Sequence, residues 1–256
     1  DKITPRPDAS VKKMLEDCGF TDTESIVTSK NTYVAPFVNA EEAQYLVIEN
    51  AFPNGRPALE NAGVMFTSRE TVEKVERMKV CTCLNPLHTA LAVYGCLLGY
   101  TKISDEMKDA DLVKLVEIIG YKEGLPVVTD PGILSPKKFI DEVLQIRVPN
   151  PFMPDTPQRI ACDTSQKLSI RFGELIKEYL ASDELDVKSL NSFQWYRRAG
   201  VRYLLGVDDE LNAFTVSPDP MYEELAGKLA GVKVGEPCDV HGVLAPNLKL
   251  MQRSLA

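Results

Sequence analysis

The sequence predicts a single, mainly α-helical domain over residues 1–256, and three observations support this prediction. Apolar residues recur at helical spacing in many stretches, for example at Val72, Val75 and Met78. Capping residues followed by proline stand where two such stretches begin, at Asn85-Pro86 and Ser135-Pro136. Strand-like stretches of β-branched and aromatic residues are short, and we expect only one or two of them.

Composition and charge exclude several classes of protein. The chain has 256 residues, of which 44% are hydrophobic and 26% are charged, and its formal net charge is −8, which is typical of a globular protein. It has no basic run that would bind nucleic acid. We also expect no signal peptide, and no apolar run reaches the roughly 20 residues that span a membrane. We therefore expect a cytoplasmic protein without a nucleic-acid or membrane partner.

The cysteines and histidines argue against a disulfide framework and against a zinc centre. The six cysteines are scattered through apolar and helical stretches, as reduced thiols are. The two histidines are His88 and His241, and neither has the spacing to cysteines that is typical of a zinc site. We therefore expect that the protein binds no metal.

Local signals place short, mixed elements at the start of the chain and helices in the rest. We expect a helix at 8–18 with Asp8 as its N-cap and Gly19 as its end, and short strands at 25–28 and 44–50. Arg56 and Glu60 are spaced to form an ion pair. Further helices are expected at 70–84, at 192–205 and after Asp219-Pro220. Another is expected at 108–119, with its end at Gly120. A helix is also expected to begin at Ser135, and its inward-facing residues are Phe139, Ile140, Val143 and Leu144.

The most apolar run of the chain follows Asn85-Pro86. Apolar residues stand almost unbroken from 87 to 98, and a helix that is apolar on all sides is a buried one. The run is shorter than the roughly 20 residues that cross a bilayer. We therefore predict a central core helix, with Asn85 as its N-cap.

Three polar residues, Lys79, Asn85 and His88, stand at the entrance of this apolar helix. Each has a common structural role: a lysine that reaches solvent, a helix cap and a hydrogen-bonded core histidine. Together they also form a set that can act on an alcohol or a carbonyl. A lysine of lowered pKa is a general base, an asparagine donates to an oxyanion and a histidine does either. The residues alone leave both alternatives open.

A second charged pattern lies within 150–167. Arg159, Asp163 and Lys167 are spaced at i, i+4 and i+8, so on one continuous helix they form a single stripe. On charge pattern alone, this stripe is a solvated row of weak ion pairs. We expect the same helix to continue with an inward face made of Phe172, Leu175, Ile176, Tyr179 and Leu180.

Three stretches resemble the long-chain polyol dehydrogenases, the family of mannitol 2-dehydrogenase and fructuronate reductase. They are the Lys79–Asn85–His88 segment with the G-x-L-x-G-Y that follows it, I-E-N-x-F-P-x-G-R-P-x-L-E-x-A-G-V at 48–64, and N-P-x-x-x-D-x-x-x-R-I-A-x-D-T-S-x-K at 150–167. The family's K-x4-N-x2-H is one residue longer here, Lys79-x5-Asn85-x2-His88. On a continuous α-helix this residue would rotate Lys79 by about 100°, unless a bulge or a break at Asn85-Pro86 absorbs it.

The resemblance implies a role for each matching residue. Lys79 corresponds to the catalytic base, Asn85 to the group that stabilises the alkoxide, and His88 to a group that orients the substrate. Arg159 and Lys167 correspond to residues that bind substrate oxygens. We expect burial, together with the cations Arg159 and Lys167, to lower the pKa of Lys79, as a base requires.

The resemblance also implies a fold and a cofactor. The family's C-terminal domain is all-helical and similar to that of 6-phosphogluconate dehydrogenase, and we expect the same fold for residues 1–256. NAD(H) or NADP(H) would be bound mainly by a preceding Rossmann domain, since no G-x-G-x-x-G occurs here. We therefore expect this sequence to be the C-terminal part of a longer enzyme. Asp1, in the D-K-I-T-P turn that follows the Rossmann domain in the family, is a further site candidate.

The implied substrate is a sugar acid or a polyol, oxidised or reduced at a secondary alcohol. N-P-F-M-P-D-T-P-Q-R is more similar to the fructuronate reductase branch than to the mannitol branch. Monomer and dimer both remain open, and a helical interaction module without chemistry is the alternative from another class. Cations available near the site to meet a carboxylate are Lys2, Arg6, Arg56 and Arg171.

Overall fold

The computed structural model describes residues 2–3, 9–24, 26–27, 33–34, 39–40, 46–151, 153, 155–239 and 242. The chain divides into two compact units, Asp1–Val72 and Glu73–Ala256. Asp1, Arg6 and His241, which the sequence analysis considered as site or ligand candidates, lie outside the described residues.

The first unit combines one helix with short strand pairs. The strands pair as β1 with β4 and β2 with β3, both antiparallel, and as β5 with β6 in parallel. The first expected helix and the two expected strands are confirmed, whereas Asp8, the expected N-cap, lies outside the described residues. Gly19 follows the helix with a φ of 88°, a conformation that favours glycine. The elements are β1 (Lys2–Ile3), α1 (Ala9–Asp17), β2 (Ile26–Val27), β3 (Tyr33–Val34), β4 (Asn39–Ala40), β5 (Val47–Glu49), a 3₁₀ turn (Leu59–Ala62) and β6 (Met65–Thr67).

Arg56 is held in place within the first unit. Its Nη1 lies 2.5 Å from a carboxylate oxygen of Glu60, which confirms the expected ion pair. Its Nε donates to Asn50 at 3.1 Å, and its guanidinium carbon lies 3.4 Å from the centre of the Phe66 ring. These contacts give Arg56 a structural role in the part of the chain that the structure describes.

Helices build the second unit. They are α2 (Arg69–Met78, which begins in the first unit), α3 (Asn85–Leu97), α4 (Ile103–Glu106), α5 (Ala110–Glu117), α6 (Pro136–Glu142), α7 (Pro157–Ile160), α8 (Thr164–Leu168), α9 (Glu174–Ala181), α10 (Asn191–Tyr203) and α11 (Tyr222–Gly227). π-helical turns adjoin several of them, at Lys79–Cys83, Ile118–Gly124, Val143–Arg147 and Ser169–Gly173. The predicted mainly helical fold is confirmed.

Helix α3 is the core of the second unit, as predicted. Every residue from Pro86 to Val93 is buried, and α3 packs against α7 and α10. The run Arg69–Leu97 is long and apolar enough to cross a membrane, but 78% of its most apolar stretch is buried inside the fold. Such burial is typical of the core helix of a globular unit.

A glycine and a buried acid mark the closest approach to α3. A Cβ built on Gly95 would lie 2.2 Å from a carboxylate oxygen of Glu106 and 2.9 Å from Pro157, so only glycine lets α4 and α7 pack this closely. The Glu106 side chain is fully buried, and neither carboxylate oxygen has a hydrogen-bond partner among the described residues. Burial raises the pKa of Glu106 to about 9.

The structure corrects four expectations about these elements. The helix at 108–119 does not end at Gly120 but continues as the π turn Ile118–Gly124, because Gly120 packs against Ile140 rather than closing a helix. Leu180 is exposed rather than inward. Asn85 does not cap α3: it is the first helical residue, after Leu84. The described strands number six rather than one or two.

The expected charged stripe within 150–167 is also wrong. Helix α7 ends at Ile160, and α8 begins after Asp163, whose φ of 53° is incompatible with a continuing helix. Arg159 and Lys167 therefore lie on separate helices.

Candidate active site

A π turn links Lys79 to the start of the core helix. The Leu84 N–H donates to the Lys79 carbonyl at 3.1 Å, a hydrogen bond that skips one residue more than an α-helical bond does. The additional residue in Lys79-x5-Asn85 is taken up in this turn. A π turn, one of the two features expected to absorb the additional residue, is thus present between Lys79 and Asn85.

Lys79 is half-buried at the start of that turn. Burial lowers its pKa, and Glu76 opposes the shift. The contribution expected from Arg159 and Lys167 is not found, because Glu76 is the charged group among the described residues that acts on this pKa. The expected direction is therefore correct, and its cause is burial alone.

His88 is buried one turn into α3, with 8% of its surface exposed. Burial lowers its pKa to about 4, Asp155 opposes the shift, and Arg171, Arg159 and Lys79 add to it. The imidazole is therefore neutral near pH 7. Its Nε2 is buried and has no hydrogen-bond partner among the described residues, so its hydrogen-bonding capacity is unused within the fold.

The charges that act on His88 come from separate parts of the chain. Lys79 precedes α3, Arg159 lies on α7, and Arg171 lies in the π turn before α9. Arg171 and Arg159 also lower the pKa of Lys167, after burial as the largest cause. The fold thus collects in one electrostatic neighbourhood four of the residues predicted from the sequence, Lys79, His88, Arg159 and Lys167, together with Arg171.

Asp155 holds Arg159 in this neighbourhood. The two side chains form an ion pair, with Asp155 only 9% exposed and Arg159 54% exposed. The Thr156 hydroxyl caps α7 by accepting from the Arg159 N–H at 3.2 Å. One Nη of the guanidinium is therefore held by Asp155, while the side chain as a whole stays exposed to solvent.

Lys167 is oriented by backbone carbonyls rather than by an acid. Its Nζ donates to the carbonyl of Ile160 at 3.1 Å and to that of Cys162. The break between α7 and α8 exposes these carbonyls, which a continuous helix would have used internally.

Asn85 occupies the first turn of α3, half-buried. Its backbone carbonyl accepts from the Thr89 hydroxyl at 2.8 Å. Its side-chain amide makes no hydrogen bond to the described residues, so it remains available to a ligand. The structure thus places Asn85 one turn before His88, as the sequence predicted.

Two members of the site were missed or undervalued in the sequence. Asp155 stands four residues before Arg159, a spacing at which opposite charges pair, and this signal could have identified it. Arg171 appeared only as one of several available cations. Its contact with Thr89 spans 82 positions of sequence, and no local pattern reports such a distance.

Within the described residues, no group of histidine, cysteine and acidic side chains is placed to hold a metal ion. Metal independence nevertheless stays a prediction. A neutral histidine and a half-buried lysine among guanidinium groups form a site suited to an oxygen-rich, anionic small molecule.

The chain belongs to a known family. Residues 71–245 match the mannitol dehydrogenase C-terminal domain family. The chain is 56% identical over 254 residues to a D-mannonate oxidoreductase from Thermotoga maritima, a match that covers 98% of this chain and 47% of that protein. It is 29% identical over 257 residues to a mannitol 2-dehydrogenase from Aspergillus niger, covering 97% and 48%. The chain thus spans about half the length of the curated relatives it matches.

Solved structures agree with this assignment. A D-sorbitol dehydrogenase in substrate-free form superposes with a TM-score of 0.72 at 25% identity, over 100% of this chain and 50% of that one. A Pseudomonas fluorescens mannitol 2-dehydrogenase, in a ternary complex with NAD and D-mannitol, gives a TM-score of 0.63 at 24% identity over the same shares. The second likeness shows the fold alone.

Proposed function

We propose that this chain is the substrate-binding and catalytic domain of a nicotinamide-dependent oxidoreductase that interconverts fructuronate and mannonate, a keto-uronate and its aldonate. The observation that carries the proposal is the 56% identity to a D-mannonate oxidoreductase over nearly the whole chain. The electrostatics support it, because Lys79, Arg159 and Arg171 all act on the pKa of the neutral, buried His88, and burial lowers the pKa of Lys79. Cations scattered over the surface would instead have favoured a non-catalytic helical module.

In the direction of mannonate oxidation, the proposed base is Lys79. Its neutral Nζ accepts the proton of the reacting hydroxyl while a hydride leaves the carbon that bears this hydroxyl. A base must be unprotonated to do this, and burial of Lys79 favours the neutral form. A bound nicotinamide cofactor would supply hydride acceptance in oxidation and hydride donation in reduction.

The other site residues position the substrate. The Asn85 amide donates to the oxygen that gains negative charge as the proton leaves. His88, neutral because its pKa is about 4, binds a neighbouring hydroxyl through Nε2. Arg159 and Lys167, held by Asp155 and by backbone carbonyls, bind further substrate oxygens.

The described residues do not fit the phosphates of a dinucleotide, because no G-x-G-x-x-G loop precedes any of their helices. We therefore propose that NAD(H) or NADP(H) is bound mainly by an N-terminal nucleotide-binding domain of the working enzyme. Asp1 remains a proposed neighbour of the substrate.

Side-by-side kinetics test the proposed substrate. The enzyme that contains this chain should reduce fructuronate with a higher kcat/KM than fructose, and oxidise mannonate with a higher kcat/KM than mannitol. A higher kcat/KM for fructose and mannitol would move the protein to the mannitol 2-dehydrogenase branch. Absence of activity toward both pairs would contradict the proposed reaction.

A further inference from the structure

Arg171 reaches the candidate site from the π turn Ser169–Gly173. Its Nη1 donates to the Thr89 hydroxyl, and that hydroxyl in turn donates to the Asn85 carbonyl at 2.8 Å. Thr89 is 1% exposed and follows His88 on α3. A short chain of hydrogen bonds therefore fixes the Arg171 guanidinium beside the two proposed substrate-binding residues, Asn85 and His88.

The electrostatic effects of Arg171 agree with this position. Arg171 lowers the pKa of His88 and that of Lys167, in each case after burial as the largest cause. Both residues belong to the candidate site, so the charge of Arg171 acts on two of its members. Arg171 itself is half-buried, and burial lowers its pKa.

Arg171 differs from three other arginines of the described residues in its lack of an acidic partner. Arg56 pairs with Glu60, Arg77 with Glu174, and Arg159 with Asp155. No carboxylate pairs with Arg171 in the part of the chain that the structure describes, and the Thr89 bond uses only one of its donors. Removing a guanidinium partly from water without a counter-charge has a desolvation cost, which points to an anion that arrives with the ligand.

We propose that Arg171 is the counter-charge for the carboxylate of the substrate and selects a sugar acid over a neutral polyol. This inference rests on the proposed function, because it takes the cluster around His88 as the substrate site. The neighbouring cations have other partners: Asp155 binds Arg159, and backbone carbonyls bind Lys167. A guanidinium suits the task because its planar donors match the two oxygens of a carboxylate.

The experiment compares acidic and neutral substrates in variants of the enzyme that contains this chain. Arg171→Met keeps a long side chain and removes the charge, whereas Arg171→Lys keeps the charge and loses the bidentate geometry. Arg198→Met is the matched control. Arg198 is exposed on α10, and its substitution changes the net charge by the same amount. The measurements are kcat and KM with mannonate and mannitol, and the dissociation constant of each by calorimetry on the cofactor-loaded enzyme.

Arg171→Met should lower kcat/KM for mannonate by about 10- to 100-fold, the range for a lost hydrogen bond to a charged group, with most of the loss in KM. It should change kcat/KM for mannitol by less than about threefold, which is less than the loss of one hydrogen bond to a charged group would cause. Arg171→Lys should recover part of the mannonate affinity, and Arg198→Met should match the unmodified enzyme.

Three results would overturn the inference. They are equal losses for mannonate and mannitol, no loss for mannonate, and an unmodified enzyme that binds both ligands equally well. Failure of the proposed function looks different. If the enzyme binds mannonate in an Arg171-dependent way but does not oxidise it, the reaction assignment fails and the carboxylate site stands.

Discussion

Burial lowers the pKa of both Lys79 and His88, and the two shifts have different consequences for chemistry. His88 is pushed out of the physiological range, so it stays neutral and can only donate or accept a hydrogen bond there. Lys79 moves downward from the usual lysine range, toward the pH at which a base is useful. Of the two residues, only Lys79 is therefore expected to govern the pH dependence of the reaction.

Alcohol oxidation should rise with pH and then level off as Lys79 loses its proton. Because burial lowers the pKa of Lys79, the level region should begin below the usual lysine value of about 10.4. Lys79→Ala should reduce kcat by roughly 10² or more, as loss of a general base does. It should change KM much less, since the loss falls on the transition state. Rates at several pH values with saturating mannonate provide the measurement.

Lys74→Ala is the matched control for this prediction, because Lys74 is an exposed lysine on α2, five positions before Lys79. It should leave kcat unchanged. Near-normal kcat in Lys79→Ala, together with a large loss in Lys74→Ala, would show that the wrong lysine had been identified as the base.

The sequence identified candidate site residues that lie in local motifs, but it did not identify partners that only the fold brings together. Lys79, Asn85 and His88 lie within ten consecutive positions, so the sequence could present them as one candidate set, and the family resemblance gave that set a role. The acidic partner of Arg159 could not be identified from spacing in the same way. Asp163 was expected to pair with Arg159, but Asp163 lies in a left-handed turn and Asp155 is the actual partner.

At the scale of secondary structure, the π turn Lys79–Cys83 takes up one residue more than an α-helical turn between Lys79 and Asn85. A periodicity of 3.6 residues predicts where a helix is but carries no signal for a single wider turn. The same limit explains why the helix at 108–119 was expected to end at Gly120. That glycine lies inside a helical run because Ile140 packs against it: an added Cβ would lie 2.4 Å from the Ile140 side chain.

Gly95→Ala should destabilise the fold. Alanine favours a helix by roughly 0.5–1 kcal/mol over glycine, but its Cβ would lie 2.2 Å from Glu106 and 2.9 Å from Pro157. Overpacking of this kind costs about 1–3 kcal/mol, so the steric cost should exceed the helical gain. The free energy of unfolding, measured by urea titration, should fall.

Gly227→Ala is the control for the steric argument. Gly227 ends α11, and an added Cβ meets no atom within 4 Å. The same chemical change should leave stability unaltered or raise it by up to about 1 kcal/mol. A Gly95→Ala protein as stable as Gly227→Ala would contradict the close packing described around α3.

At the scale of the whole molecule, the fold class followed from helical periodicity, and the division into two units did not. The strand pairs of residues 1–72 are two or three residues long, too short to give an alternating pattern over the four to eight positions from which strands are recognised. The core helix was recognisable because its composition is apolar on every face, a property that does not depend on its neighbours.

The chain by itself should bind NADH weakly. The proposed cofactor site lies mainly in an N-terminal nucleotide-binding domain, and the described residues offer no glycine-rich loop for the phosphates. Titration of NADH into the isolated chain, after circular dichroism has confirmed helical structure, should give no saturable change in cofactor fluorescence at micromolar concentrations. Micromolar saturation would mean that the cofactor site lies within this chain.

The buried carboxyl beside Gly95 makes unfolding of this protein a proton-releasing event. With a pKa of about 9 in the folded state and 4.5 as the ordinary value, Glu106 keeps its proton at pH 7 when folded and loses it when the chain opens. Stability should therefore fall as pH rises from about 4.5 to about 9, and then stop falling. The heat of unfolding at pH 7 should accordingly depend on the ionisation enthalpy of the buffer that takes up the proton, and Glu106→Gln should weaken that dependence.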